Sequence, residues 1–176
     1  MFKKQLPKKV KCICAFIYKD EAIFRKVKNI MAGGLGTIDY ESKPIKFDFT
    51  DYYEKEMGAG LSRRFVSFKK LMNPLKLLKV KLDCIKLEKK FSCQDKRRIN
   101  IDPGYLNEAR LILLSTKDFY HRIYLGKCIY AEVTLYYAQR DFRDLPWTFP
   151  DYRTPGYKNI FIEIRDNYIR QIRDKK

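Results

Sequence analysis

Residues 10–18, VKCICAFIY, are almost continuously apolar from Cys12 and rich in β-forming side chains. A strand with one wet face alternates polar and apolar residues, so a run without that alternation belongs in the middle of a sheet covered on both sides. The chain must therefore supply layers for two faces. Asp20 follows as a helix N-cap, and Ile23, Phe24, Val27, Ile30 and Met31 recur at helical spacing until Gly33-Gly34 offers a stop. Residues 37–49 read as extended, with Ile45, Phe47 and Phe49 alternating against Lys46 and Asp48. Residues 64–69 read as a further short strand, and Gly58 and Gly60 break the chain between the two.

Pro74 suits the first turn of a second helix reaching about residue 91. Its apolar stripe is expected to be Leu71, Leu75, Leu78, Leu82 and Ile85, opposite Lys76, Lys79, Lys86 and Lys90. Residues 98–101 form a short strand that Asp102-Pro103-Gly104 is expected to close as a turn. The order βαββαβ is that of a ferredoxin-like unit, in which two helices pack on one face of an antiparallel sheet. After it come an apolar run at 111–116 and two β-rich runs, 121–125 and 128–138, separated by the hairpin signal Gly126-Lys127. A Pro-rich aromatic loop at 145–156 precedes an amphipathic C-terminal helix carrying Tyr157, Ile160, Phe161, Ile164, Tyr168 and Ile172. The expected fold is α+β: one domain over 1–176, with a ferredoxin-like lobe at 10–102, a hairpin-plus-helix lobe at 103–176 and a basic tail at 1–9.

Charge and cysteine usage narrow the setting. The 176 residues carry 38 Lys and Arg against 21 Asp and Glu, a formal net charge of +17. Residues 1–11 hold five Lys and no acid, and residues 63–98 hold 13 basic residues against three acids, so these two stretches supply most of the excess. That is the footprint of a polyanion partner or of a Lys-rich solvated surface. No apolar run approaches the roughly 20 residues that span a bilayer, and the N-terminal tail has no signal-like hydrophobic stretch. Cys12, Cys14, Cys84, Cys93 and Cys128 are odd in number and lack CxxC spacing, which fits a reducing cytoplasm and no structural zinc. Cys12 and Cys14 are expected to act as small core hydrophobes. Neither Gly33-Gly34-Leu35-Gly36 nor Met57-Gly58-Ala59-Gly60 has a P-loop or dinucleotide context.

Three groups of residues carry candidate chemistry. A two-residue loop at Gly126-Lys127 makes Leu125 face Cys128, sets Ile123 against Tyr130 and sets His121 against Glu132. Opposed side chains lie about 5 Å apart at Cβ, close enough for that carboxylate to orient a general base or to form a purely structural pair. The second group is Asp48, Thr50, Asp51, Tyr52 and Tyr53, polar and aromatic residues gathered at a strand end, where Thr50 or Asp51 can also cap a short helix at 52–56. The third is Trp147, Phe149, Asp151 and Tyr152 in the Pro-rich loop. One His and scattered thiols leave no metal-binding pattern beyond isolated carboxylates.

The segments GTIDYES (36–42), FDFTDYYEKEMG (47–58), RRFVSF (63–68), NIDPGYL (100–106), TKDFYHRIYLGKCIYAEVTL (116–135) and LPWTFPDYR (145–153) are long and specific. Through them the chain resembles, from about residue 10 to 170, the bacterial domain-of-unknown-function family number four-four-one-six. Two departures are Cys128 and Phe149, where the pattern leads one to expect Gly and Tyr. The resemblance implies no named activity and leaves the cofactor open, and the GTP-binding label of some members finds no P-loop here. Its motifs draw attention to Asp48, Thr50, Asp51, Tyr52, Tyr53, Lys117, Asp118, His121, Arg122, Glu132, Thr134, Trp147, Asp151 and Tyr152.

The resulting expectation is a cytoplasmic protein whose three segments converge on a pocket for a small anionic ligand such as a nucleotide or phosphoester. His121, Glu132 and Asp51 are the residues expected to handle protons, and Asp48, Thr50, Tyr52, Tyr53, Lys117, Asp118, Arg122, Thr134, Trp147, Asp151 and Tyr152 those expected to bind. The alternative is a nucleic-acid-binding module without enzymatic activity, with residues 63–98 as a phosphate track. A third reading makes the C-terminal helix a docking element for a partner protein. No membrane partner is expected.

Overall fold

A computed structural model describes residues 6–174, so the first five residues of the basic tail lie outside the described part. In chain order the elements are β1 (Lys11–Tyr18), α1 (Glu21–Leu35), β2 (Ile38–Glu41), β3 (Ile45–Phe47), α2 (Glu54–Met57) and β4 (Leu61–Phe68). There follow a 3-10 turn (Pro74–Lys76), α3 (Leu77–Lys90), β5 (Ile99–Leu106), β6 (Arg110–Ser115), β7 (Ile123–Gly126), β8 (Ile129–Ala138) and β9 (Asp141–Asp144). The last pieces are a 3-10 turn (Asp151–Arg153) and α4 (Pro155–Arg173). The molecule is an α+β protein with one large antiparallel sheet. Its strand order is β2-β4-β1-β5-β6-β8-β7, with β3 also on β4 and β9 also on β8.

All eight residues of β1 are buried, and the period of two explains how. Cys12, Cys14, Phe16 and Tyr18 face one way, into a core shared with Phe24 and Val27 of α1 and Leu77, Val80 and Cys84 of α3. Ile13 and Ala15 face the other way, into a core with Phe65 and with Tyr157, Phe161, Ile164 and Tyr168 of α4. Ile17 joins Phe47 and Leu61 in a small third cluster beside α2. The two cysteines of β1 are thus core fillers, and burial pushes the Cys14 thiol pKa well up. The apolar stripe of α4 is spent on the protein's own sheet, which removes the ground for reading that helix as a free docking element.

Several local expectations need correction. The α1 helix runs through Gly33-Gly34 and ends at Gly36, whose φ of 99° supplies the left-handed stop. Asp102-Pro103-Gly104 is no turn: β5 continues straight through it, pairing Cys14 with Pro103 and Ile13 with Gly104. Gly104 is required there because a Cβ would press into the Ile112 carbonyl oxygen of β6. In consequence one sheet crosses the junction expected between two lobes. In α3 the buried face is Leu77, Val80, Lys81, Cys84 and Glu88, while Leu75 is 83% exposed. The 3-10 turn before α3 advances only three residues per turn, so the stripe extrapolated from Leu71 and Leu75 loses phase.

The hairpin is also one residue out of the expected register. Its loop is Lys127-Cys128, both at positive φ of 52° and 57°, as a type I′ turn requires. Leu125 bulges out, so Ile123 faces Ala131 and Tyr124 faces Tyr130. A cavity nonetheless forms where the ends of β3, β5 and β6 meet α3 and the 149–152 segment, and the sheet is what holds these distant segments together.

Candidate ligand-binding site

The cavity has a volume of about 500 Å³, within the range of small-ligand sites. One wall is aromatic: Phe47, Phe49, Tyr52 and Tyr53 from the β3 end and the turn after it, with Phe149 and Tyr152 across from them. Thr50 shapes that turn by accepting the Tyr52 N–H at 3.1 Å. The floor is ionic, with Arg63 from β4, Lys81 and Glu88 from α3, and Asp102 from β5. Lys117, Arg122 and Glu132 complete the opposite side.

Arg63 is the most constrained of these groups. It is 4% exposed, and its Nη2 donates to Asp151 Oδ2 at 2.9 Å. Its Nε and Nη1 are buried and find no hydrogen-bond acceptor among the described residues, the Asp102 carboxylate being 4.0 Å from Nη1. Burial opposes the Arg63 charge, but Tyr152, Asp151, Tyr157 and Asp102 outweigh it and push its pKa up. The Tyr152 hydroxyl is likewise buried without a partner, and burial raises its pKa well above the phenol range. Buried donors without acceptors are uncommon in folded proteins.

The remaining charges are partly committed. Arg97 grips Glu56 through Nε and Nη2 at 2.7 to 3.0 Å and reaches Asn100 Oδ1 at 2.8 Å. Lys81 donates to the Ile101 carbonyl at 3.2 Å and lies 3.5 Å from Asp102. Glu88 accepts the Ile101 N–H at 2.6 Å. Burial raises its pKa to about 7, against the lowering effect of Lys81 and that bond. Burial also raises the Asp151 pKa, with Arg63 opposing. Lys117 lies 4.1 Å from the centre of the Tyr52 ring, and its hydrogen bond and charge lower the Tyr52 pKa. Among the described residues no carboxylate lies within 4 Å of Lys117, which leaves it as the accessible cation at the rim.

Of the residues expected from sequence, Thr50, Tyr52, Tyr53, Lys117, Arg122, Glu132, Asp151 and Tyr152 line the cavity. His121 does not. Its Nε2 lies 3.0 Å from Glu132 Oε2, and its ring stacks on Trp147 with centroids 5.0 Å apart and an interplanar angle of 7°. Glu132 also accepts from Arg122 Nε at 2.7 Å and from Thr134 Oγ1 at 3.3 Å, so His121, Trp147 and Thr134 stand behind the cavity wall. Trp147 is anchored by its Nε1 donating to the Val133 carbonyl at 2.8 Å. Asp48 is paired with Lys46 at the surface, and Asp51 and Asp118 are exposed outside the lining. Sequence reading missed Arg63, Lys81, Glu88, Arg97, Asn100 and Asp102. Arg63, Asn100 and Asp102 do lie inside the quoted motifs. Lys81 and Glu88 are seven residues apart, and only two helical turns on one face brings them together.

Among the described residues no cluster of three or more His, Cys, Asp or Glu is placed to hold a metal ion. Among the same residues no helix is long and apolar enough to cross a membrane. Fold and site together define an α+β protein with an extended antiparallel sheet and an open cavity walled by aromatic rings and floored by ionic groups. The chain belongs to the family described as Domain of unknown function (DUF4416), whose model matches residues 8–168. Neither curated proteins nor solved structures provided a match.

Proposed function

We propose that the protein binds a small anionic ligand with a planar ring, of the nucleotide or phosphoester class, in this cavity. The observation that carries the reading is Arg63, buried at the cavity floor with two N–H-bearing nitrogens lacking acceptors. An anionic oxygen satisfies them, because guanidinium hydrogen bonds to charged oxygens are among the strongest available. Lys117 adds a second cation at the mouth, and the Tyr52, Tyr53 and Phe149 rings offer apolar faces to a flat ring. Glu88, whose pKa burial raises to about 7, is the carboxyl of the cavity suited to exchange a proton near neutral pH, and His121 reaches the cavity only through Glu132.

The test is calorimetric titration of the protein with nucleoside monophosphates, sugar phosphates and inorganic phosphate, alongside the Lys117→Ala and Tyr52→Ala variants. Both side chains are exposed, so the variants should fold. Binding weakened about tenfold by each substitution, roughly 1.4 kcal/mol, is the expected outcome. Absence of binding to every compound at millimolar concentration refutes the reading.

The ferredoxin-like arrangement of the first six major elements remains part of this proposal. The order β2-β4-β1-β5, all antiparallel, with α1 and α3 sharing one face, supports it. Five free cysteines, three of them in the core, support a reducing cytoplasm. The nucleic-acid alternative draws less support, because Arg63, Arg64, Arg97 and Arg98 of the basic stretch each hold an internal carboxylate.

A further inference from the structure

A second concavity lies on the other side of the molecule from α4, between α1 and α3, with a volume of about 670 Å³. Its floor is aliphatic: Ile30, Met31, Leu35, Leu71, Val80 and Leu87. Its rim is cationic, formed by Lys9, Lys70, Lys76, Lys79, Lys86 and Lys90, all exposed, against the single acid Asp83. Among the described residues Asp83 engages only Lys79 and Lys86. Among the described residues the other four lysines have no carboxylate within 4 Å.

Two features show which kind of partner this groove suits. First, no aromatic ring and no arginine lines it. Single-stranded nucleic acids are held by aromatic stacking and by arginine, and an aliphatic floor offers neither. Second, Gly34 lies in the wall of the groove within α1, with open space where a Cβ would stand and no positive φ. The fold therefore does not require a glycine there, in the last turn of the helix. A bare helix surface is what close approach of another backbone needs. A recessed apolar channel between two helices, ringed by positive charge, is complementary to an amphipathic helix with an apolar ridge and acidic flanks.

We propose that the α1/α3 groove is the docking site for an acidic amphipathic helix of a partner protein. Most of the lysines responsible for the excess charge of residues 63–98 then serve this interface. The proposal is independent of the ligand cavity, which lies beyond α3 against β5.

The probe is a synthetic peptide of about four helical turns with Leu at i, i+3, i+4 and i+7 and Glu on its flanks. A peptide with Lys in place of Glu is the control. Fluorescence anisotropy should show the Glu peptide binding, its affinity falling as salt rises from about 0.05 to 0.3 M, and the Lys peptide not binding. The Lys76→Glu/Lys90→Glu variant should lose at least tenfold in affinity. Gly34→Met, at an exposed helical position that leaves the fold unstrained, should block the peptide without altering charge. Equal binding of both peptides, an unaffected Gly34→Met variant, or binding of anionic phosphatidylglycerol vesicles or a single-stranded oligonucleotide in place of the Glu peptide would each overturn the proposal.

Discussion

Glu88 makes the stability of this protein depend on pH in a direction opposite to that of an ordinary ion-paired carboxylate. It is 7% exposed on the inner face of α3, and burial lifts its pKa from an ordinary 4.5 to about 7. A carboxyl with a raised folded pKa binds its proton more tightly when folded. Its stabilising effect is complete below pH 4.5 and is lost as pH climbs through the folded value. The shift corresponds to about 3 kcal/mol in all, at about 1.4 kcal/mol per unit, of which roughly 2 to 3 kcal/mol falls between pH 5 and pH 8. Glu88→Gln keeps a carbonyl oxygen to accept the Ile101 N–H and removes the titration. Urea unfolding of both proteins at pH 5, 6, 7 and 8 should show the variant gaining on the wild type by that amount as pH rises. Asp151, whose pKa is also raised, contributes equally to both proteins and cancels in the difference. If the two proteins keep a constant stability difference over this range, Glu88 does not titrate as its burial implies and the ionic floor of the cavity is wrongly described.

Gly104→Ala should cost about 3 kcal/mol, because the new methyl meets the Ile112 backbone and not a movable side chain; thermal unfolding measures it. The expected and the observed apolar stripes of residues 71–90 separate cleanly by mutation. Leu75→Ser should change stability by less than about 0.5 kcal/mol, whereas Leu77→Ala should cost about 2 to 5 kcal/mol, both read from urea midpoints. Replacing Lys127-Cys128 by Asn-Gly, the pair favoured where both φ values are positive, should stabilise the hairpin by about 1 kcal/mol in the same assay.

The hairpin shows why contact and register are separate questions. Sequence spacing placed His121 near Glu132, and the two do touch, but through a turn at residues 119–122 and a bulge at Leu125 that spacing alone does not encode. The Pro103-Gly104 pair carries the same lesson. It is a turn signal by local rules, yet the neighbouring strand β6 approaches so closely that a strand residue without a side chain is needed there.

What the chain determined by itself is local in origin. The doubly covered strand β1, the Asp20 cap, the α1 stripe and the amphipathic α4 all follow from side-chain periodicity within about twenty residues, which needs no knowledge of partners. The presence of polar and aromatic residues at 48–53, 117–122 and 147–152 was equally legible. Tertiary structure alone decided the rest: that α3 turns Lys81 and Glu88 inward, that Arg63 meets Asp151 across 88 residues, and that His121 and Trp147 stand behind the cavity. A buried charge is set by which distant carboxylate or carbonyl the fold delivers to it, and no periodicity along the chain records that delivery.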